Sequence, residues 1–310
     1  MCAKAGKPRL IIILGPTAVG KTALAIDLAR ESRGDIISAD SMQVYRFLDI
    51  GTAKPSTAER SLVKHHLIDV VNPDEPFNAA MFFKLARDVI ANLSRDRKPI
   101  YVVGGTGLYI KALLGGLFDG PDADPDLRRL YREEVKKFGK EYLYDKLKER
   151  DGEAAAQIDR NDTPRIIRAL EVLDLCGLSI VEKQRAHQFG DNPYDAVKIG
   201  LTLARGELYR RIDERAERMM EDGLVDEVKR VLSIGYSDAL KPMQALGYKH
   251  IVKTIRGKSS LDDAVRLIKR DTRHFAKRQM TWFSKDKEIL WFAPSERQAI
   301  KDKVNSFLSQ

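Results

Sequence analysis

The chain has 310 residues, a net charge of +9, 43% hydrophobic and 32% charged residues, enough for a real core beneath a soluble surface. No run of about 18 apolar residues exists, which excludes a transmembrane helix, and the short apolar stretch after the basic N-terminus leads into a glycine-rich loop instead of a cleavage site. The two cysteines, Cys2 and Cys176, offer no CxxC pair and no disulfide framework, so the expectation is a reduced, cytoplasmic protein with no membrane partner.

Residues 10–14 (LIIIL) are a continuous apolar run bounded by turn residues, as in a strand buried on both faces. Residues 21–31 are helix-compatible, with Leu24, Ile26, Leu28 and Ala29 as apolar members, and Gly34 ends them. Residues 35–40 (DIISAD), 67–71 and 100–103 (IYVV) read as further strands, with helical periodicity over 79–93 between the last two. Strands alternating with helices predict a parallel sheet with crossover connections. After Gly120 the pattern changes: residues 121–125 (PDADP) form a turn-rich hinge, and charged helical segments fill 126–176. Val197, Ile199, Leu201 and Leu203 then alternate with Lys198, Gly200 and Thr202, a period-2 strand at which the sheet resumes. Helices are expected near 207–234 and 261–283. The predicted fold is therefore α/β, a P-loop-type parallel sheet flanked by helices, with its first part in 1–120. A helical insertion domain occupies 121–195, and 196–310 completes the core with basic C-terminal helices.

Between Lys241 and Lys287 stand 13 Lys and Arg against 4 Asp and Glu, so the whole charge excess falls in one segment. Clustered cations suit a polyanion, since counterion release rewards them, although a basic helix is as often a solvated face. Arg266, Arg270, Arg273 and Lys277 recur at helical spacing as one basic stripe. Val265, Ile268, Phe275 and Trp282 fall broadly opposite, suited to core packing. Trp282 and Phe283 are read as core residues, with base stacking as the alternative; Tyr248 is open in the same way.

Residues 15–22 (GPTAVGKT) fit GxxxxGK[ST] between a strand and a helix, the context the motif requires. Gly15, Pro16, Thr17, Ala18, Val19, Gly20, Lys21 and Thr22 would curve their amides around phosphate oxygens at a helix N-terminus. Lys21 would supply a point charge, and the Thr22 hydroxyl would ligate Mg²⁺. The loop alone favours a nucleotide kinase or ATPase. However, the later strands end in no obvious metal-binding Asp, beyond Asp69 as a possible carboxylate. Residues 104–107 (GGTG) form a second small-residue turn where a ligand could approach closely. Asp40 stands at the C-terminal end of its strand, the edge where open α/β sheets bind ligands, although Asp-Ser is also a common helix-capping pair.

Taken together, GPTAVGKT (15–22), ADSMQVYR (39–46), DIGTAKP (49–55), HHLID (65–69), GGTGLYIKALL (104–114), NDTPRIIRALEV (161–172), MQALGYKH (243–250) and AKRQMTWF (276–283) resemble the tRNA dimethylallyltransferases. The stretches occur in family order over nearly the whole chain. The resemblance implies transfer of a dimethylallyl group from dimethylallyl diphosphate to the N6 amine of adenosine 37 of tRNA, with Mg²⁺ as cofactor. It implies a catalytic role for Asp40 as the base, with Thr17 at the reaction centre and Arg215 on the diphosphate. Arg211, Arg215 and Arg218 fall on one helix face, which could equally be solvated. The resemblance also implies tRNA contacts at Asp40, Ser41, Met42, Gln43 and Thr106. A second RNA-contacting stretch would be Pro164, Arg165, Ile166, Ile167 and Arg168. A base inside a stacked anticodon loop would have to be extruded to react. The helical insertion is expected to face the anticodon region, and the working unit to be a monomer.

Rival readings use the same loop. An adenylate dimethylallyltransferase needs Asp40 but has no obvious use for the insertion or the basic segment. A nucleotide kinase needs no RNA, and a non-catalytic RNA-binding protein needs no Asp40. A prenyl synthase is disfavoured because no DDxxD pair exists. Asp122, Asp124 and Asp126 lack the glycine of an EF-hand loop, and His65-His66 lack the partners of a zinc site.

Overall fold

The computed structural model describes residues 6–117, 120–187 and 190–309, so Cys2 lies outside the described residues. In chain order the elements are β1 (Arg9–Leu14), α1 (Lys21–Ser32), β2 (Asp35–Ser38), α2 (Thr57–Leu62), β3 (His65–His66), α3 (Ala79–Arg95), β4 (Ile100–Gly104) and α4 (Gly107–Gly115). Five helices follow without a strand: α5 (Pro125–Phe138), α6 (Lys140–Arg150), α7 (Gly152–Gln157), α8 (Thr163–Cys176) and α9 (Ile180–His187). The chain then forms β5 (Asp195–Leu201), α10 (Arg205–Glu221), α11 (Leu224–Ser233), α12 (Tyr248–Ile255), α13 (Leu261–Phe283), β6 (Leu290–Phe292) and α14 (Arg297–Ser309).

All six strands are parallel, in the order β3-β2-β4-β1-β5-β6. The period of two along β1 sorts its side chains between two cores. Leu10, Ile12 and Leu14 join Ile37, Ile100 and Val102 on one face; Ile11 and Ile13 join Ile36, Tyr101, Val103 and Ile199 on the other. Helices cover both faces, which is why the central strands read as unbroken apolar runs. Each such side chain contributes about 1.5–3 kcal/mol by leaving water. Helix starts are set locally. Asn78 accepts from the Ala80 and Met81 amides, Asp124 precedes Pro125, and Ser260 accepts from the Asp263 amide.

Two compact units result: residues 6–114 with 193–309 as the sheet unit, and Gly115–Asn192 as the helical unit, which begins ahead of the turn at Pro121. The helical unit has its own core, built on Tyr131, Leu143, Leu147, Ile166, Ile167 and Leu170. Its buried Glu171 accepts from Arg128, Arg168 and the Asp124 amide. The described residues include no helix long and apolar enough to cross a membrane.

The structure corrects several expectations. The third strand is His65–His66, not 67–71, because Leu67 and Asp69 adopt left-handed φ of 61° and 56°, which no ladder tolerates. Val71 keeps only an isolated bridge to Tyr45. The long helix at 207–234 is broken at Gly223, where φ is 96°. Asp69 is no metal carboxylate: it bonds to Lys54 and Arg60. On α13 the buried face is Ala264, Ile268, Ala276, Gln279 and Phe283, while Phe275 and Trp282 are exposed. The first three arginines of the stripe are engaged by Asp263, Asp271 and Asp213.

Tyr248 is settled as a core residue, fully buried with its ring so close beneath Gly51 that a Cβ there would sit 2.5 Å from it. Its hydroxyl donates to Glu227 Oε1 at 2.7 Å. Glu227, itself 2% exposed, also accepts from the amides of Asp49 (2.9 Å), Ile50 (2.8 Å) and Gly51 (3.1 Å). Removing this carboxylate would orphan four donors at once, the buried Tyr248 hydroxyl and three part-buried amides. Glu227→Ala is therefore expected to lose about 3 kcal/mol or more of unfolding free energy, read from the midpoint of urea denaturation; a loss under about 1 kcal/mol would contradict the burial argument.

Candidate active site

The turn after β1 has to reverse tightly, and three residues make this possible. Gly15 has φ 140° and no room for a side chain, since a Cβ there would lie 2.5 Å from Leu201 O. Ala18 (φ 65°) and Gly20 (φ 101°) then curl the chain so that it enters α1 at Lys21. An alanine in the left-handed region costs about 1–2 kcal/mol relative to glycine there. Lys21 folds back over the loop and donates to Gly15 O (3.0 Å) and Pro16 O (2.7 Å).

The strand ends beside this loop also approach closely. A Cβ on Gly104 would sit 2.1 Å from Ala39 O, so the C-terminal edges of β2 and β4 meet only because position 104 is glycine. The Thr106 amide donates to Ala39 O (3.2 Å), and Thr106 Oγ1 accepts from the Ser41 amide (3.1 Å). Asp40 is presented at this junction, two residues beyond the end of β2. Its Oδ1 accepts from the amides of Met42 (2.8 Å) and Gln43 (3.3 Å), the geometry of a turn cap, so one carboxylate oxygen is fixed by the backbone.

Two further residues close the arrangement. Arg215 of α10 donates to Thr17 Oγ1 at 3.2 Å. Gln279 of α13 bridges two loops: Oε1 accepts from the Thr17 amide (2.9 Å) and Nε2 donates to Gly105 O (3.0 Å). Together these groups line an open cleft formed by Thr17, Lys21, Thr22, Asp40, Gln43, Arg215 and Gln279.

Burial, and then the neighbouring Arg215 guanidinium, push the Lys21 pKa down to about 7, while Asp40 works the other way. Burial likewise lowers Arg215, opposed by Asp40. Two cations facing one carboxylate favour a multiply charged anion, and α1 points its N-terminus at the same place. Among the described residues no cluster of three His, Cys, Asp or Glu side chains could hold a metal ion. A divalent cation here would therefore depend on the Thr22 hydroxyl and on oxygens of the bound anion.

The cleft brings together Thr17, Lys21, Thr22, Asp40, Gln43 and Arg215, which the sequence names separately. The face shared by Arg211, Arg215 and Arg218 does not act as one: Arg211 pairs with Glu207, while Arg215 turns inward. In the helical unit, the Ile166 and Ile167 side chains are buried, and Arg168 is held by Glu171 and Pro121 O. Pro164 and Arg165 remain at the surface. The sequence reading missed Gln279, Thr52, Ala53 and His65 as lining residues. Only their membership of shared motif stretches marked them.

Comparison with known proteins gives a consistent answer. A family model described as IPP transferase matches residues 43–286. The tRNA dimethylallyltransferase 2 of Syntrophus aciditrophicus (strain SB) is 56% identical over 302 residues, 97% of each chain. The tRNA dimethylallyltransferase of Geobacter metallireducens is 48% identical over 302 residues, 97% of this chain and 98% of its own. Among solved structures, the tRNA isopentenylpyrophosphate transferase of Bacillus halodurans superposes with a TM-score of 0.73 at 39% identity, covering 98% of this chain and 97% of its own. A eukaryotic dimethylallyltransferase acting on tRNA gives 0.82 at 26% identity, over 96% of this chain and 79% of its own.

The lowered Lys21 pKa has a measurable consequence. Below about pH 7 the free cleft already holds the ammonium; above it the amine is neutral and must take up a proton when an anion binds. Lys21 should thus weaken pyrophosphate binding by up to about tenfold per pH unit above pH 7. Calorimetry at pH 8.5 in buffers of different ionisation enthalpy should record proton uptake that disappears in Lys21→Met. Equal uptake by both proteins would remove Lys21 from the anion site.

Proposed function

The chain belongs to the tRNA dimethylallyltransferase family, and from that premise we propose how its cleft performs the reaction. The enzyme transfers a dimethylallyl group from dimethylallyl diphosphate to the exocyclic N6 amine of adenosine 37 of tRNA, releasing diphosphate. The observation that carries this reading is one cleft in which a phosphate-type loop with two cations faces a backbone-held carboxylate.

The donor's diphosphate lies in the loop of residues 15–22, against Lys21 and Arg215. As the allylic C–O bond breaks, the bonding pair leaves with the diphosphate, and both cations face the charge that builds there. Mg²⁺, held by Thr22 and diphosphate oxygens, would add charge neutralisation at the same oxygens. Thr17, bonded to Arg215 and Gln279, sits at the junction of the loop and α10 and keeps the guanidinium aimed into the cleft.

The adenine amine is a weak nucleophile because its lone pair is delocalised into the ring. As nitrogen bonds to the allylic carbon, Asp40 takes one N–H proton, its second oxygen turned to the amine while the first stays on the Met42 and Gln43 amides. Gln43 has its whole amide engaged, accepting from Ser38 and donating to Thr52 O and Ala53 O, which supports a shaping role instead of direct base reading. Ser41 and Thr106 remain candidates for the base itself.

An anticodon-loop adenosine reaches such a site only when extruded from its stack, at a cost of a few kcal/mol. On α13, Phe275, Lys277, Arg278 and Trp282 are exposed; Phe275 lines the cleft, and a Cβ on Gly107 would meet the Trp282 ring at 2.2 Å, so the indole lies against the GGTG turn. We assign RNA contact to this end of α13, with Arg165 and Pro164 as further contacts on the helical unit. The cleft is completed within one chain, which supports a monomeric working unit, and a tRNA substrate implies the cytoplasm.

The test is transfer of radiolabelled dimethylallyl diphosphate with Mg²⁺ to unmodified tRNA and to free AMP, offered side by side. Label is expected in tRNA, at the adenosine 3′ of the anticodon on nuclease mapping. Label in AMP would move the protein to free-nucleotide chemistry, and label in neither would return the loop to the kinases. Asp40→Ala should lower turnover by about 100-fold or more while leaving pyrophosphate affinity within a few-fold. Near-wild-type turnover would remove Asp40 as the base.

A further inference from the structure

A second polar cluster adjoins the acceptor segment, and the chemistry above makes no use of it. Lys54 is buried, with 1% of its side chain exposed. Its ammonium donates to Tyr45 O (2.9 Å), Asp49 Oδ1 (2.6 Å) and Asp69 Oδ1 (2.6 Å), so all three N–H groups are used. Arg60 completes the set on Asp69 Oδ2 at 2.7 Å. Burial works against the charge on Asp69, and the hydrogen bonds from Lys54 and Arg60 outweigh it, holding its pKa below the usual carboxylate value.

The backbone around this ammonium is strained. Of the eight described non-glycine residues with positive φ, four lie here: Phe47 (69°), Ala53 (46°), Leu67 (61°) and Asp69 (56°). Such conformations persist where surrounding contacts over-determine them, and they gather at functional sites. Lys54 adjoins Ala53 in sequence, bonds directly to Asp69, and holds Tyr45 O two residues before Phe47.

Hydrogen bonds carry this frame to the reacting edge. Thr52 O and Ala53 O accept from Gln43 Nε2 at 3.4 and 3.2 Å, Gln43 O accepts from the Asp69 amide at 3.1 Å, and the Gln43 amide donates to Asp40 Oδ1 at 3.3 Å. Thr52, Ala53 and Pro55 line the cleft with Asp40. Among the described residues, none of the hydrogen bonds of Lys54, Asp49, Asp69 or Arg60 reaches the loop at 15–22.

We propose that Lys54 is a positioning residue for the acceptor side alone, fixing the Gln43–Asp40 edge against which the adenine amine is presented. The inference rests on the assignment of Asp40 to the acceptor. The lever is selective because the frame touches one wall of the cleft and leaves the phosphate loop to Gln279 and Arg215.

The experiment uses the full chain with Lys54→Met and Asp69→Asn, an anticodon stem-loop RNA and inorganic pyrophosphate. Lys54→Met should raise KM for the RNA about tenfold or more and lower kcat, with pyrophosphate Kd within about twofold of wild type. Asp69→Asn, which preserves shape, should shift the same way by less. Unchanged RNA parameters in both variants, or pyrophosphate binding weakened in step with the RNA, overturns the proposal. If Lys54→Met does not fold, Asp69→Asn decides on the same two readings. Wild-type protein that does not prenylate the stem-loop overturns the acceptor assignment itself; a prenylating wild type with unaffected variants overturns the Lys54 inference alone.

Discussion

Lys21 and Arg215 are confined in one cleft where the facing acid is Asp40, and much of the surrounding architecture follows from that imbalance. Burial disfavours both charges; Arg215 further disfavours the charge on Lys21, and Arg218 the charge on Arg215. The free site therefore holds unfavourable electrostatic energy that a polyanion can relieve. The loop cannot escape by drifting apart, because Gly15 is packed on Leu201 O and Thr17 is tied to both Arg215 and Gln279. The same preorganisation serves the leaving group, whose charge grows where the cations already stand.

The sheet makes the geometry possible. Because β1, β2 and β4 run parallel with matched registers, their C-terminal ends deliver the phosphate loop, Asp40 and the GGTG turn to one edge. Glycine at 104 lets β2 and β4 close on each other, and glycine at 105 admits the Gln279 amide, whose Nε2 would be 2.2 Å from a Cβ there. Gln279 comes from α13, on the same side of the helix as the exposed Phe275 and Trp282, four and three residues away, and Phe275 lines the cleft with it. One helix thus holds the donor loop through Gln279 and sets aromatic rings beside the same cleft.

Much of this was legible in the sequence, and the reason is physical. The apolar run at 10–14, the loop at 15–22 and the alternation from Val197 depend on short-range patterns, and each forms as read. The strand at 67–71 failed because Leu67 and Asp69 adopt left-handed φ, and Asp69 bonds Lys54 and Arg60, partners that no local pattern announces. Trp282 and Phe275 failed because hydrophobicity was taken for burial, whereas the helix buries Gln279 and leaves both rings out. The arginine stripes failed in a similar way. Spacing puts charges on one face, but Asp213, Asp263, Asp271 and Glu207 decide which of them stay available.

Other residues escape local pattern altogether because their partners lie far off in sequence. Glu227 is 176 to 178 positions from the amides it caps, Gln279 is 262 from Thr17, and Arg215 is 198 from the same residue. A buried polar group must find its partners wherever the fold brings them, because leaving it unpaired costs about 1–3 kcal/mol or more. Three such long-range polar groups converge on the two loops that must be held still for transfer. Glu227 holds residues 49–51, Gln279 and Arg215 hold Thr17, and the apolar core, which pattern reads well, supplies the platform on which both are placed.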